Sequence, residues 1–148
     1  NFGVDRVVDL GIHNKVQPQV NQIEINPFHQ QEDEVQSLQK EGVLVEAWAP
    51  FAEGKNNLFS NETLQNIGDK YGKLIAQVVL RWLVERDIVV LAKSVNPERM
   101  KQNLDSFDYE LTDEDKAQIA TLDSNDSQFF SHADPEMIKA LTSRRLDV

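Results

Sequence analysis

The apolar residues of this chain change their spacing repeatedly, and that alternation limits the folds open to it more than any other feature. "VNQIEIN" is strictly alternating, with Ile23 and Ile25 on one face and Gln22 and Glu24 on the other. "EDEVQSLQKEG" reads as a helix stopped at Gly42, and "VLVEAW" as a second strand ended by Pro50. "SNETLQNIGDKYG" and "LIAQVVLRWLVER" read as helices broken at Gly72, and "DIVVLA" as a third strand. Ahead of the first strand, Val4, Val7, Val8, Leu10 and Ile12 recur at roughly helical spacing. After the third, a helix opens at Pro97, and "LTDEDKAQIATLD" forms another with Thr112 as N-cap and Asp115 closing a capping box. The tail, residues 124–148, is polar and loop-like until "PEMIKALTSR".

Strands that alternate with helices of ten or more residues predict a parallel sheet of right-handed βαβ units. An open doubly wound sheet keeps its strands apolar on both faces, yet Gln22, Glu24 and Glu46 are polar. No strand is followed by a G-x-G-x-x-G turn either. Both details favour part of a (β/α)₈ TIM barrel, with about three parallel strands and alternating helices. Function then belongs to the loops after the strands, "NPFHQQ", "WAPFAEGKNN" and "KSVNPER". Three strands cannot close a barrel, so both outer edges and the lumen face around Val20, Val43 and Val45 are expected to need a cover.

Charge and composition exclude several classes. The 148 residues carry a net charge of −10, which argues against nucleic acid or an anionic membrane as a partner. There is no cysteine, so disulfides and thiolate metal sites are excluded. Apolar runs such as "IVVLA" are too short to span a bilayer. The expectation is a soluble, cytoplasmic protein, or a piece of one, made of a single domain without internal repeats.

The most informative stretch is "LAKSVNPERMKQN". Asn96 is a favoured N-cap and Pro97 a favoured first helical residue, so free N–H groups and the helix dipole are expected to form an anion site there. Lys93, Ser94 and Arg99 can converge on it, as a phosphate monoester needs. The alternative is that Lys93 pairs with a carboxylate while Arg99 lies on a solvated face. Glu24 and Glu46 could mimic a glycosidase pair or simply be hydrogen-bonded in a barrel interior. Gln22 is open to a structural reading as an interior amide, and Trp48 as a core aromatic.

The run from "AQVVLRW" through "KSVNPERMKQN", with "NFG", "QVNQIEINPFHQQ", "VEAWAPF" and "FFSHADPEM", resembles the C-terminal half of an aldo-keto reductase, an NAD(P)H-dependent barrel enzyme. The resemblance implies that Lys93, Ser94 and Arg99 hold the 2′-phosphate of NADPH, within a segment that includes Val95 and Asn96. It places Gln102 and Asn103 near the adenine, where the family commonly has Glu-Asn. Asn1 and Gln22 match the amides that bond the nicotinamide carboxamide, and Trp48 the aromatic that stacks on its ring. Ala49 and Phe51 fall where the family lines the pyrophosphate channel. The family's Tyr, Lys, Asp and His catalytic set belongs to the other half; Tyr71, Tyr109, His13, His29 and His132 lack its context. Residues 1–148 are therefore expected to be a partial, cofactor-binding domain, with no catalytic residues of its own. It would serve reduction of a small carbonyl in a complete enzyme and be covered by the missing N-terminal half, by a second copy or by its own rearranged tail. A non-catalytic half-barrel module is the alternative, and a phosphate-binding barrel of another chemistry a third.

Overall fold

The computed structural model describes residues 1–144; the last four residues of the expected 124–148 tail lie outside the described part. The elements run α1 (Val4–Ile12), β1 (Val20–Glu24), α2 (Glu32–Lys40), β2 (Leu44–Trp48), 3₁₀ turns (Ala52–Ser60), α3 (Glu62–Tyr71), α4 (Ile75–Val84), β3 (Val89–Val90), α5 (Pro97–Leu104), α6 (Asp113–Ala120) and α7 (Pro135–Thr142). The strands pair in parallel, in the order β1-β2-β3. β3 is shorter than "DIVVLA" suggested, although the Leu91 N–H still donates to the Ala47 carbonyl at 3.3 Å. Among the described residues, no helix is long and apolar enough to cross a membrane.

Period-two alternation decides which side of the sheet is covered. Ile23, Val45, Ala47 and Ile88 point towards the helices and are buried with Leu38, Val78, Val79 and Leu83. Each such side chain contributes about 1.5–3 kcal/mol by leaving water. The opposite face carries Val20, Leu44, Val89 and Leu91, which are 49%, 46%, 38% and 47% exposed. The open face is therefore real, but Val43 and Val45 are not on it, being 4% and 0% exposed against the helices. Leu44 takes their place, because in a strand only every second residue faces the same way.

The break between α3 and α4 has a local cause. Gly72 caps α3 in the left-handed region at φ 65°, where a side chain would be strained. Gly68, one turn earlier, accepts from the Lys73 N–H at 2.9 Å, and a Cβ there would lie 2.4 Å from the Lys73 carbonyl oxygen. That close approach lets α4 turn back immediately onto α3.

Asp115 ties the last part of the fold to this helix pair. The expected capping box is present, with the Asp115 N–H donating to Thr112 Oγ1 and the Thr112 N–H to Asp115 Oδ2, both at 3.2 Å. The carboxylate is also fully buried and accepts from Lys70 Nζ at 2.6 Å, Tyr71 Oη at 2.5 Å and Thr112 Oγ1 at 2.8 Å. Burial alone would raise its pKa; the donors from Lys70, Tyr71 and Thr112 outweigh burial and hold it at about 2. Because the folded value lies below the ordinary 3.8, this stabilisation is complete above that pH and is lost as pH falls towards about 2. Urea-unfolding midpoints measured across that range should fall with pH. Asp115→Asn should flatten that dependence and cost about 1.5–3 kcal/mol at neutral pH, the worth of a hydrogen bond to a charged group.

Candidate functional site

The parallel register sets Gln22 beside Glu46 and Glu24 beside Trp48 at the C-terminal ends of β1 and β2. All four side chains fall on the sheet face away from the helices. Asn1 joins them: its Oδ1 accepts from the Trp48 indole N–H at 2.6 Å, and its backbone nitrogen donates to the Gln22 carbonyl at 2.5 Å. Gln22 Nε2 donates to Glu46 Oε2 at 3.2 Å. Asn1, Gln22 and Trp48, far apart in sequence, thus form one polar and aromatic corner. Glu24 and Glu46 are occupied by hydrogen bonding and not arranged as a free carboxylate pair, since Glu24 is buried and accepts from Asn26, Ser127 and Gln128.

The loop after β2 is conformationally demanding. Ala49, Ala52, Glu53, Asn56 and Asn57 all have φ between 47° and 55°, and Gly54 has φ 77°. Left-handed geometry costs roughly 1–2 kcal/mol for a residue with a side chain, less for Asn. Phe51 anchors the loop, packed against the core with its ring 5.7 Å from that of Phe59.

Beyond β3 lies the second group. Asn96 caps α5 as expected, its Oδ1 accepting from the Glu98 and Arg99 N–H groups at 2.9 and 3.2 Å. Ser94 Oγ accepts from the Asn96 N–H at 3.1 Å. The expected free backbone N–H groups are therefore already taken, because an asparagine cap competes with a ligand for the same donors and Pro97 has none to offer. What remains for an anion is the helix dipole, the Ser94 hydroxyl and two cations. Among the described residues Lys93 and Arg99 enter no ion pair, so the pairing of Lys93 with a carboxylate is not seen. Both are exposed, and Val95 between them is 90% exposed. Gln102 and Asn103 are half-buried. Their carbonyls accept from Gln77 Nε2 at 3.0 Å and from Ser106 Oγ, which fastens α5 to α4 and to the turn that follows.

The other candidates for chemistry have structural work. Tyr71 is bonded to Asp115, and the Tyr109 ring lies 4.9 Å from that of Tyr71, where burial pushes its hydroxyl pKa well up. His13 Nδ1 sits 2.8 Å from the Asp9 carbonyl at the exposed end of α1, and the His29 backbone bridges Asn26. No group of three or more His, Cys, Asp or Glu among the described residues could hold a metal ion. Sequence reasoning did not give the contacts of the tail: Phe129 packs on Trp48 with ring centroids 5.2 Å apart and His132 meets it edge-on at 5.9 Å. The signals for it were the aromatic density of "QFFSH" and the place of "FFSHADPEM" in the family resemblance.

Parallel βα units with polar and aromatic groups gathered at the C-terminal strand ends define part of a β/α barrel with its site at the barrel's mouth. The aldo/keto reductase family model matches residues 1–124, and the chain belongs to that family. Aldose reductase B of Dictyostelium discoideum is 40% identical over 125 residues, covering 84% of this chain and 40% of the relative. An aldo-keto reductase from a Medee basin deep-sea metagenome library superposes with TM-score 0.85 at 36% identity, over 90% of this chain and 49% of that one. An aldo-keto reductase of the silkworm Bombyx mori in complex with NADP gives TM-score 0.80 at 31% identity, over 87% of this chain and 45% of the other. The chain thus spans less than half the length of these relatives.

Asn96→Ala tests how the α5 terminus is built. It should cost about 1 kcal/mol in urea unfolding, the usual worth of such a cap. Amide exchange at Glu98 and Arg99 should quicken with it; unchanged exchange there would mean that the cap is not what holds the first turn.

Proposed function

We propose that this chain is the NADPH-binding part of an aldo-keto reductase that reduces small aldehydes or ketones to alcohols. The observation that carries the reading is the pair Lys93 and Arg99 around Ser94, without ion-pair partners among the described residues, in the loop and helix that follow the strand next to the one that ends in Trp48. Those groups fit a phosphate monoester: two cations and a hydroxyl complement a dianion, and an exposed site leaves them able to turn towards it. Gln22 and Asn1 offer amides to another amide, and the Trp48 indole offers a flat face to a planar ring. A bound nicotinamide cofactor would supply hydride to a carbonyl carbon. The proton needs a donor that this chain lacks in the right setting, since Tyr71 is engaged by Asp115 and Tyr109 is stacked on Tyr71. We therefore read the chain as inactive alone, with its catalytic tyrosine supplied by an N-terminal half.

The exposed sheet face needs a cover in this reading, from that N-terminal half or from a second copy packed face to face. Val20, Leu44, Val89 and Leu91 would form the seam, and at −10 per chain the contact would be mainly apolar. The acidic surface fits a cytoplasmic setting without nucleic acid or membrane. The same open face also supports a second reading, a non-catalytic half-barrel that serves binding or assembly.

In the protein completed by an N-terminal half, Arg99→Ala should weaken NADPH about tenfold or more in a fluorescence titration and leave NADH nearly untouched. Equal losses for both cofactors would overturn the phosphate assignment. The purified chain alone should show no turnover of a model aldehyde with NADPH. Tight NADPH binding with no rescue by any N-terminal half would favour the non-catalytic reading.

A further inference from the structure

We propose that Gln77, in the first turn of α4, is a positioning residue for the phosphate site and holds α5 with its Arg99 in place. The inference rests on the reading of Lys93, Ser94 and Arg99 as a 2′-phosphate site, and adds to it a residue that does not touch the phosphate. Helix α5 needs such a hold. It has eight residues and none of them is buried, with Met100 and Leu104 both exposed. A helix of that length is not stable in water by itself. From Ala92 to Lys101, among the described residues, no hydrogen bond runs to another part of the chain; the bonds of Ser94 and Asn96 stay within the segment. The place of Arg99 therefore depends on whatever fixes the far end of α5.

That end is fastened by polar side chains. Gln77 is buried, and its amide is divided between two helices. Oε1 accepts from the Leu74 N–H at 2.9 Å, which caps α4. Nε2 donates to the Gln102 carbonyl at 3.0 Å and to the Asp105 carbonyl at 3.2 Å, both at the end of α5. The last carbonyls of a helix lack partners within it, so a buried amide that serves two of them fixes the helix end. Lys73, in the turn before α4, adds a bond from Nζ to the Asp105 carbonyl at 2.9 Å and pairs with Asp108 at 2.6 Å. Of these two side chains, only Gln77 reaches a residue inside the helix, Gln102. Arg99 lies three residues before it, about 4.5 Å along the helix axis. A single helical turn is stiff, so a displacement at the Gln77 amide reaches the backbone that carries the guanidinium.

The test uses the whole chain and adenosine 2′-monophosphate, a probe that carries the phosphate and the adenine without the nicotinamide. Gln77→Glu keeps the size of the side chain and an acceptor for the Leu74 N–H, but loses both donors and sets a carboxylate against two carbonyls. Gln77→Met, of similar length, removes the donors without a buried charge and serves if the first variant folds poorly. Amide exchange from Met100 to Asn103, measured relative to the core amide of Leu83, should quicken about tenfold in either variant. In a titration followed at the Arg99 amide, the wild type should prefer the 2′-monophosphate to its 5′ isomer, and that preference should fall about fivefold in the Gln77 variants. A role confined to folding would move the unfolding midpoint and leave the preference untouched. Wild-type exchange in α5, or an unchanged preference in the variants, would therefore overturn the proposal. Arg99→Ala separates it from the reading beneath. A wild type without the preference, or a preference that survives Arg99→Ala, would overturn the phosphate assignment and this inference with it. A preference lost in Arg99→Ala and kept in the Gln77 variants would overturn the role of Gln77 alone.

Discussion

A three-stranded parallel sheet covered on one side only is the constraint from which the rest of this structure follows. Helices α2 and α4 pack on one face and bury Ile23, Val45, Ala47 and Ile88. The other face keeps Val20, Leu44, Val89 and Leu91 in contact with water. Gln22 and Glu46 lie on the uncovered side, where they bond each other without the cost of burying an unpaired group, while Asn21 on the covered side is buried and bonded to the Phe2 backbone. The candidate site is therefore a product of asymmetry in the sheet.

The ends of the strands are then organised by side chains from distant parts of the chain. Asn1 bonds Trp48, and Ser127 and Gln128 bond Glu24, so segments more than a hundred positions apart converge on the mouth of β1 and β2. A buried carboxylate without a cation would be unfavourable if left alone; three donors make it a fastening point. Lys93 and Arg99 show the opposite arrangement, being exposed and unpaired among the described residues, where solvent stabilises their charge.

Much of this was legible from residue order. Alternation in "VNQIEIN" put Gln22 and Glu24 on one face, and the structure agrees. Thr112 with Asp115, Asn96 with Pro97, and Gly72 marked helix ends because capping and left-handed geometry depend on residues within three or four positions. Where the reading erred, the reason was a competing local bond or a one-residue shift. Asn96 consumed the N–H groups expected to be free, and Val43 and Val45 face the helices while Leu44 between them is exposed.

By itself, then, the sequence determined the order and type of the elements, their caps, the parallel sheet, and the segment in which Lys93, Ser94 and Arg99 gather. All of these follow from short-range periodicity and from bonds between near neighbours. Only the tertiary structure decided that Asp115 joins Lys70 and Tyr71, that Asn1 reaches Trp48, and that the tail closes on Glu24 and Lys55. Those contacts span 44 to 104 positions or depend on them, and no local pattern encodes them. Which distant groups meet is fixed by how the helices stack on one face of the sheet, and a buried polar group takes whichever partner that packing brings within reach.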